Sequence, residues 1–183
     1  MSHETIYQYV YEDRKQGGTL FRQLRWCRRK RRKRFPGPDK RGQIPNRRWI
    51  DERPDVVAAK GRYGDWEGDT VLGKNHQAGL LTMVERKSKY TLIYKIDDRK
   101  AETINRNILV MGHELQRPLK TLTVDNGKEF AGHQALTSQL GLDVFFAHPY
   151  HAWERGLNEQ TNEFLRQYFS KSVDYRHVTI EQV

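Results

Sequence analysis

The hydrophobic and polar positions of this chain change their rhythm near Gly61. Beyond it, "DWEGDTVLG" alternates Trp66, Gly68, Thr70 and Leu72 against Glu67, Asp69 and Val71, the period-two pattern of a strand with Asp69 in its middle. "GLLTMVERKSKYTLIYKI" predicts two further strands around a polar turn at Arg86 to Lys89. Ala101, Ile104, Ile108, Met111 and Leu115 then fall at helical spacing and predict an amphipathic helix. "TLTVDNGKEF" is a short strand running into Asp125; its Asn-Gly pair is a hairpin signal, yet no second strand follows. Phe130, Ala131, Ala135, Leu136 and Leu140 instead predict a helix over 128–140. "LDVFFA", 142–147, is apolar enough for a strand buried on both faces. Glu154 to Phe169 predicts a closing helix with the apolar stripe Leu157, Thr161, Phe164 and Tyr168. Three consecutive strands followed by alternating helix and strand define an α/β class with a mixed sheet.

Ahead of Gly61 the pattern is different. "MSHETIYQYVYE" predicts a short helix with Ser2 as N-cap, Glu4 in its first turn, and Ile6, Tyr9 and Val10 on one side. Gly17-Gly18 breaks the chain, and Thr19 to Trp26 predicts a second helical stretch. Then "RWCRRKRRKR", Arg25 to Arg34, is basic at eight of ten positions, and "FPGPDKRGQIPNRR" follows with three prolines and two glycines. Mutual repulsion and proline both oppose compaction, so this segment reads as a linker or an arm that orders on binding. The expected organisation is 1–24, a helical region; 25–60, a basic arm; and 61–183, the α/β core.

Charge sharpens that division. The net charge is +10 over 183 residues, and residues 1–60 hold 17 Lys and Arg against 7 Asp and Glu, while 61–183 hold 16 against 16. The whole excess lies in the first third, the footprint of a protein that meets a polyanion. Arg25, Arg28, Arg29, Lys30, Arg31, Arg32, Lys33 and Arg34 are therefore expected to contact nucleic-acid phosphates, each contact releasing counterions. Trp26 and Trp49 are candidates to stack on bases or to tether the arm. Cys27 is the single cysteine, so no intramolecular disulfide forms, in keeping with a reducing compartment. No apolar run approaches the roughly 18–20 residues that span a bilayer. A cytoplasmic, nucleoid-associated protein without a membrane partner is the expectation.

Carboxylates supply the candidate chemistry. Asp125 leaves a strand at its carboxyl end, where ligands bind in open α/β sheets. Glu159 lies on the closing helix opposite its apolar stripe, sharing a face with Arg155, Asn162 and Arg166. Acidic groups from the first strand, the fourth strand and this helix would suit Mg²⁺ or Mn²⁺, which take hard oxygen ligands. Composition does not choose them from 23 acidic residues. Glu67 rivals Asp69 on the same strand face, and Glu163 rivals Glu159 one turn on. His148 and His151 have a spacing that zinc sites sometimes use, but no cysteine pair or third ligand lies nearby, and a strand-to-helix connector is the default reading.

"WEGDT" (66–70), "VDNGKEF" (124–130) and "HPYHAWERGLNEQTNEFLRQYF" (148–169) resemble the three catalytic blocks of Insertion Sequence 30 family transposases, relatives of retroviral integrases in the ribonuclease H-like superfamily. "SHETIYQYVY" resembles the recognition-helix end of that family's helix-turn-helix, so the likeness covers essentially the whole chain. The resemblance implies a ribonuclease H-like mixed sheet flanked by helices, with a basic helical or irregular N-terminal arm. It implies an Asp-Asp-Glu triad at Asp69, Asp125 and Glu159, with 33 residues between the last two, holding two Mg²⁺ or Mn²⁺ ions. The implied activity is hydrolytic nicking at transposon ends followed by attack of the freed 3′-hydroxyl on target DNA, by at least a dimer. Lys128, Arg155, Asn162 and Arg166 join the arm as expected DNA contacts. Family chains begin before Ser2 and continue past Val183, and they often carry proline where Ser170 stands, so the likeness implies a chain truncated at both ends. The competing readings are a catalytically incompetent DNA-binding fragment that modulates full-length enzyme, and a ribonuclease of the same fold.

Overall fold

A computed structural model describes residues 2–24, 44–74, 78–115, 118–149, 151–179 and 182. Arg25 to Arg34, with Trp26 and Cys27 among them, lie outside the described residues. The chain forms two units, Met1–Lys40 and Arg41–Val183. In the first, α1 spans His3–Lys15, and the Ser2 hydroxyl accepts the Thr5 N–H at 3.3 Å, the cap expected of its position. Gly17 ends the helix with φ +86°, and a 3-10 turn, Leu20–Gln23, follows. Val10 is buried, while Ile6 and Tyr9, expected on the packing side, are exposed.

The second unit is one six-stranded sheet. Its strands are β1 (Arg48–Trp49), β2 (Asp65–Leu72), β3 (Gly79–Glu85), β4 (Thr91–Ile96), β5 (Thr121–Val124) and β6 (Asp143–Phe146). They lie in the order β1-β6-β5-β2-β3-β4. β2, β3 and β4 form an antiparallel meander, and β5, β6 and β1 add in parallel on the other side of β2. The turn after β3 puts Lys89 at φ +61°. Every residue of β3 is buried, as suits a strand covered on both faces.

Side-chain alternation sorts the helices. Trp66, Leu122, Val124, Val144 and Phe146 enter the main core with Ile104, Ile108 and Met111 of α3 (Ala101–Glu114) and Leu136 of α4 (His133–Leu140). The helix expected over 128–140 is thus broken: a 3-10 turn, Lys128–Phe130, precedes α4. Glu67, Asp69 and Val71 point to the other face, where α5 (Gly156–Tyr168) packs on β2 and β3. A smaller core of Val71, Leu80, Tyr175 and Val178, joined by Leu165 and Phe169, seats the end of α5.

Two expectations are corrected. Residues 44–58, assigned by composition to the arm, belong to the sheet unit: Ile44 is buried in the main core, β1 pairs with β6, and Val57 is buried in the short helix α2 (Asp55–Ala58). The apolar stripe of α5 is also not its packing face, for Phe164 is 45% and Tyr168 80% exposed, while Asn158 is fully buried. The strand face beneath presents Glu67, Asp69 and Thr82, and such groups need polar partners when buried. No helix among the described residues is long and apolar enough to cross a membrane.

Candidate active site

β2 and β5 run parallel with Asp65 beside Thr121, Trp66 beside Leu122 and Glu67 beside Thr123. Two further steps of the same register set Asp69 beside Asp125, the first residue past β5. Partners in parallel register share a face on strands roughly 4.8 Å apart, so the sheet itself brings the two carboxylates together. Burial is the main cause lifting the Asp69 carboxyl above its ordinary pKa; the Arg155 guanidinium opposes this, and the Asp125 charge adds to it.

The turn after β5 is built around its own carboxylate. Asp125 Oδ1 accepts the Gly127 N–H at 2.8 Å. Asn126 Nδ2 donates to the Ala147 carbonyl, and its Oδ1 accepts from Arg47 Nη1 at 2.6 Å. Gly127 has φ −68°, so its conformation does not demand glycine. Its surroundings leave no free space for a side chain: a Cβ there would lie 2.8 Å from Asp125 Oδ1 and closer still to the Glu129 carboxylate, so those two side-chain ends would have to move. Glu129, to which the sequence reading gave no role, is buried, accepts from the Thr70 hydroxyl at 3.1 Å and pairs with Arg99. The acid four residues after Asp125 in "DNGKEF" was its only visible signal.

α5 closes the site with its polar side. Asn162 Nδ2 donates to Asp69 Oδ2 at 2.9 Å, and its Oδ1 accepts from the Thr82 hydroxyl at 3.1 Å. Arg155 Nη1 lies 3.3 Å from Asp69 Oδ2 and donates to the Gly68 carbonyl at 3.3 Å. Arg166 Nη1 donates to the Leu72 carbonyl at 2.7 Å and to the Tyr175 oxygen at 3.1 Å. The three residues offered to DNA at the start of α5 and along it are therefore engaged within the fold, binding this part of the chain to β2. Lys128 is exposed.

Glu159 is exposed in the first turn of α5, three residues before Asn162, which places it on the Asp69 side of the sheet. Asp69, Asp125 and Glu159 do not draw together as tightly as the one cluster of three close metal-ligating donors among the described residues. Glu67, the rival on β2, is fully committed: it pairs with buried Arg86 and accepts the Asn158 backbone N–H at 3.1 Å.

That tight cluster is His148, His151 and Glu154, at the connection from β6 to α5. Both Nδ1 atoms lie 3.1 Å from Glu154 Oε1, and Glu154 Oε2 accepts the His148 backbone N–H at 2.8 Å. Burial alone would raise the Glu154 pKa, but the hydrogen bonds from His148 and His151 prevail and lower it. A third potential donor does lie nearby: Glu154, brought round by a 3-10 turn, Ala152–Arg155. Trp49, a candidate for base stacking, stacks instead on His148 with ring centroids 5.3 Å apart.

The geometry has close relatives. The family model described as Integrase core domain matches residues 59–152. The transposase for insertion sequence element IS4351 of Bacteroides fragilis is 41% identical over 183 residues, 100% of this chain and 56% of that protein. The transposase for insertion sequence element IS1086 of Cupriavidus metallidurans is 40% identical over 95% of this chain and 52% of its own length. Transposase InsI for insertion sequence element IS30A of Escherichia coli strain K12 is 37% identical over 68% of this chain and 32% of its own length. The chain spans about half the length of the first two relatives. A cryo-EM structure of the simian T-cell lymphotropic virus intasome, in complex with PP2A regulatory subunit B56 gamma, shares the fold. It has a TM-score of 0.51 and 23% identity, covering 63% of this chain and 43% of the other. These matches bear out the resemblance to Insertion Sequence 30 type transposases and the ribonuclease H-like mixed sheet.

Proposed function

This chain belongs to the integrase core domain family, and from that premise we propose that it is the catalytic part of a DNA transposase, cutting phosphodiesters at transposon ends and joining the freed 3′-hydroxyl to target DNA. The observation that carries this reading is the register that sets Asp69 beside Asp125, with α5 held against Asp69 on the same side.

The donor set fits divalent metal ions. Asp69 is partly buried beside a second carboxylate, and its Oδ2 already gathers an arginine and an amide N–H, the kind of positive environment a cation supplies. Asp69, Asp125 and Glu159 would hold two Mg²⁺ or Mn²⁺ ions, which when bound make the attacking oxygen more nucleophilic and stabilise the leaving one. The residues themselves do the positioning. Gly127 keeps the backbone clear beside Asp125, and Asn162 fixes the Asp69 carboxylate through Thr82. Arg155 would yield its place on Asp69 as the site fills.

DNA would be held by Lys128 and by the arm from Arg25 to Arg34, following a helical remnant of a helix-turn-helix in 1–24. Two transposon ends require at least two copies, acting at the nucleoid in the cytoplasm. The test is nicking of supercoiled plasmid by this chain. Cutting is expected only with Mg²⁺ or Mn²⁺ and is expected to vanish in Asp69→Asn, Asp125→Asn and Glu159→Gln, while salt-sensitive DNA binding survives. Cutting that persists in those variants, or with chelator present, would overturn the assignment.

A further inference from the structure

We propose that His148, His151 and Glu154 form a second metal site, separate from the carboxylate centre, that takes a borderline-soft divalent ion of the Zn²⁺ type and locks the entry to α5. The site does not depend on the transposase reading.

The donor spacing is the first ground. Zinc ligands sit about 2.0–2.1 Å from the ion in tetrahedral sites, which separates them from one another by about 3.3 Å. His148 Nδ1 and His151 Nδ1 each lie 3.1 Å from Glu154 Oε1, already close to that edge. Two imidazoles and one carboxylate are a set that zinc uses, whereas Mg²⁺ prefers oxygen alone.

Hydrogen-bond accounting is the second. His148 Nε2 lies 3.0 Å from Asp51 Oδ2, while its Nδ1 faces Glu154 Oε1. A neutral imidazole carries one ring proton. An ion entering here would take the tautomer that keeps this proton on Nε2, toward Asp51, and turns the Nδ1 lone pair to the metal in place of the contact with Glu154. A carboxylate behind the distal nitrogen is also how metal-bound histidines are oriented. Trp49 holds the His148 ring plane, its own ring 2° from parallel, and Arg47 lies over Trp49 at 4.6 Å. The Glu154 carboxylate is oriented by the His148 N–H on its other oxygen.

Access is the third. The side chains of His148 and His151 are 30% and 44% exposed, enough for an ion to enter and keep a position open to water. The ion would join β1 and the segment after it, through Trp49 and Asp51, to the turn that begins α5 and carries Arg155 onto Asp69.

Titration of the chelator-stripped chain with Co²⁺, followed by visible absorption and Zn²⁺ competition, tests this. The wild type and an Asp69→Asn, Asp125→Asn double variant should each bind one Co²⁺ with the strong colour of four-coordinate cobalt. His151→Ala should lose that colour, and Asp51→Asn should bind about 10–100-fold more weakly. X-ray absorption of the zinc-loaded wild type should show two imidazole nitrogens, a readout that needs no variant. Equal Co²⁺ binding in wild type and His151→Ala, or an ion with oxygen ligands only, would overturn the site and leave the histidines as charge partners of Glu154.

Discussion

Asp69 and Asp125 stand side by side because one register runs through β2 and β5, and that placement costs the protein something. Burial first, and the neighbouring charge as well, penalise the ionised form of Asp69 beyond what Arg155 returns. Asp69→Asn removes the charge and keeps the shape, so the metal-free variant should melt at a higher temperature than wild type while losing nicking activity. Calorimetry with chelator present checks this; a lower melting temperature would mean that the Arg155 pair outweighs desolvation.

The link between β2 and α5 should be sensitive at Glu67. Its carboxylate is buried between Arg86 and the Asn158 N–H. Arg86→Met leaves that charge without its partner and should cost about 3–5 kcal/mol, read from the urea midpoint. Adding Glu67→Gln should recover part of the loss, because the buried charge then goes as well.

Gly127→Ala should separate activity from stability. Its φ of −68° suits alanine, but the new methyl group would press on Asp125 and Glu129. Displacing a reacting group by about 1 Å can cost on the order of 100-fold in rate. The nicking rate should fall by that order with little change in the denaturation midpoint; an unchanged rate would show that the turn has room to give.

Acid should loosen the turn after α5. Asp174 caps the 3-10 turn Tyr175–His177, and its pKa is held well below the ordinary carboxylate range by the Arg176 side chain and then by the Arg176 N–H. A lowered folded-state pKa means that this contribution is present above the unfolded value of about 3.9 and is lost as pH falls through the folded one. Carboxyl NMR titration should find Asp174 ionised below pH 3.9, with faster Tyr175 amide exchange once it protonates. Ordinary titration near 3.9 would remove the cap's pH dependence.

Much of the fold was legible along the chain. Strand alternation in 65–72, the apolar run at 142–147 and the spacing of Ile104, Ile108 and Met111 all express burial against the nearest layer, which local periodicity records directly. β1 was not legible, since two residues in a basic, proline-rich stretch carry no period, and pairing with β6 supplies their hydrogen bonds. Glu129 was hidden for a similar reason: a 3-10 turn, rather than the predicted helix, sets its direction.

The sequence by itself determined the class of the sheet, the strand bearing Asp69 and the carboxyl-end position of Asp125, because these depend on residues adjacent in the chain. Only the tertiary structure decided which side of α5 faces inward and that Glu154 closes on two histidines. Those outcomes depend on what the opposing surface presents: over Asp69 and Thr82, turning Arg155 and Asn162 inward supplies polar partners that Phe164 and Tyr168 lack, while Glu67 takes the Asn158 backbone N–H.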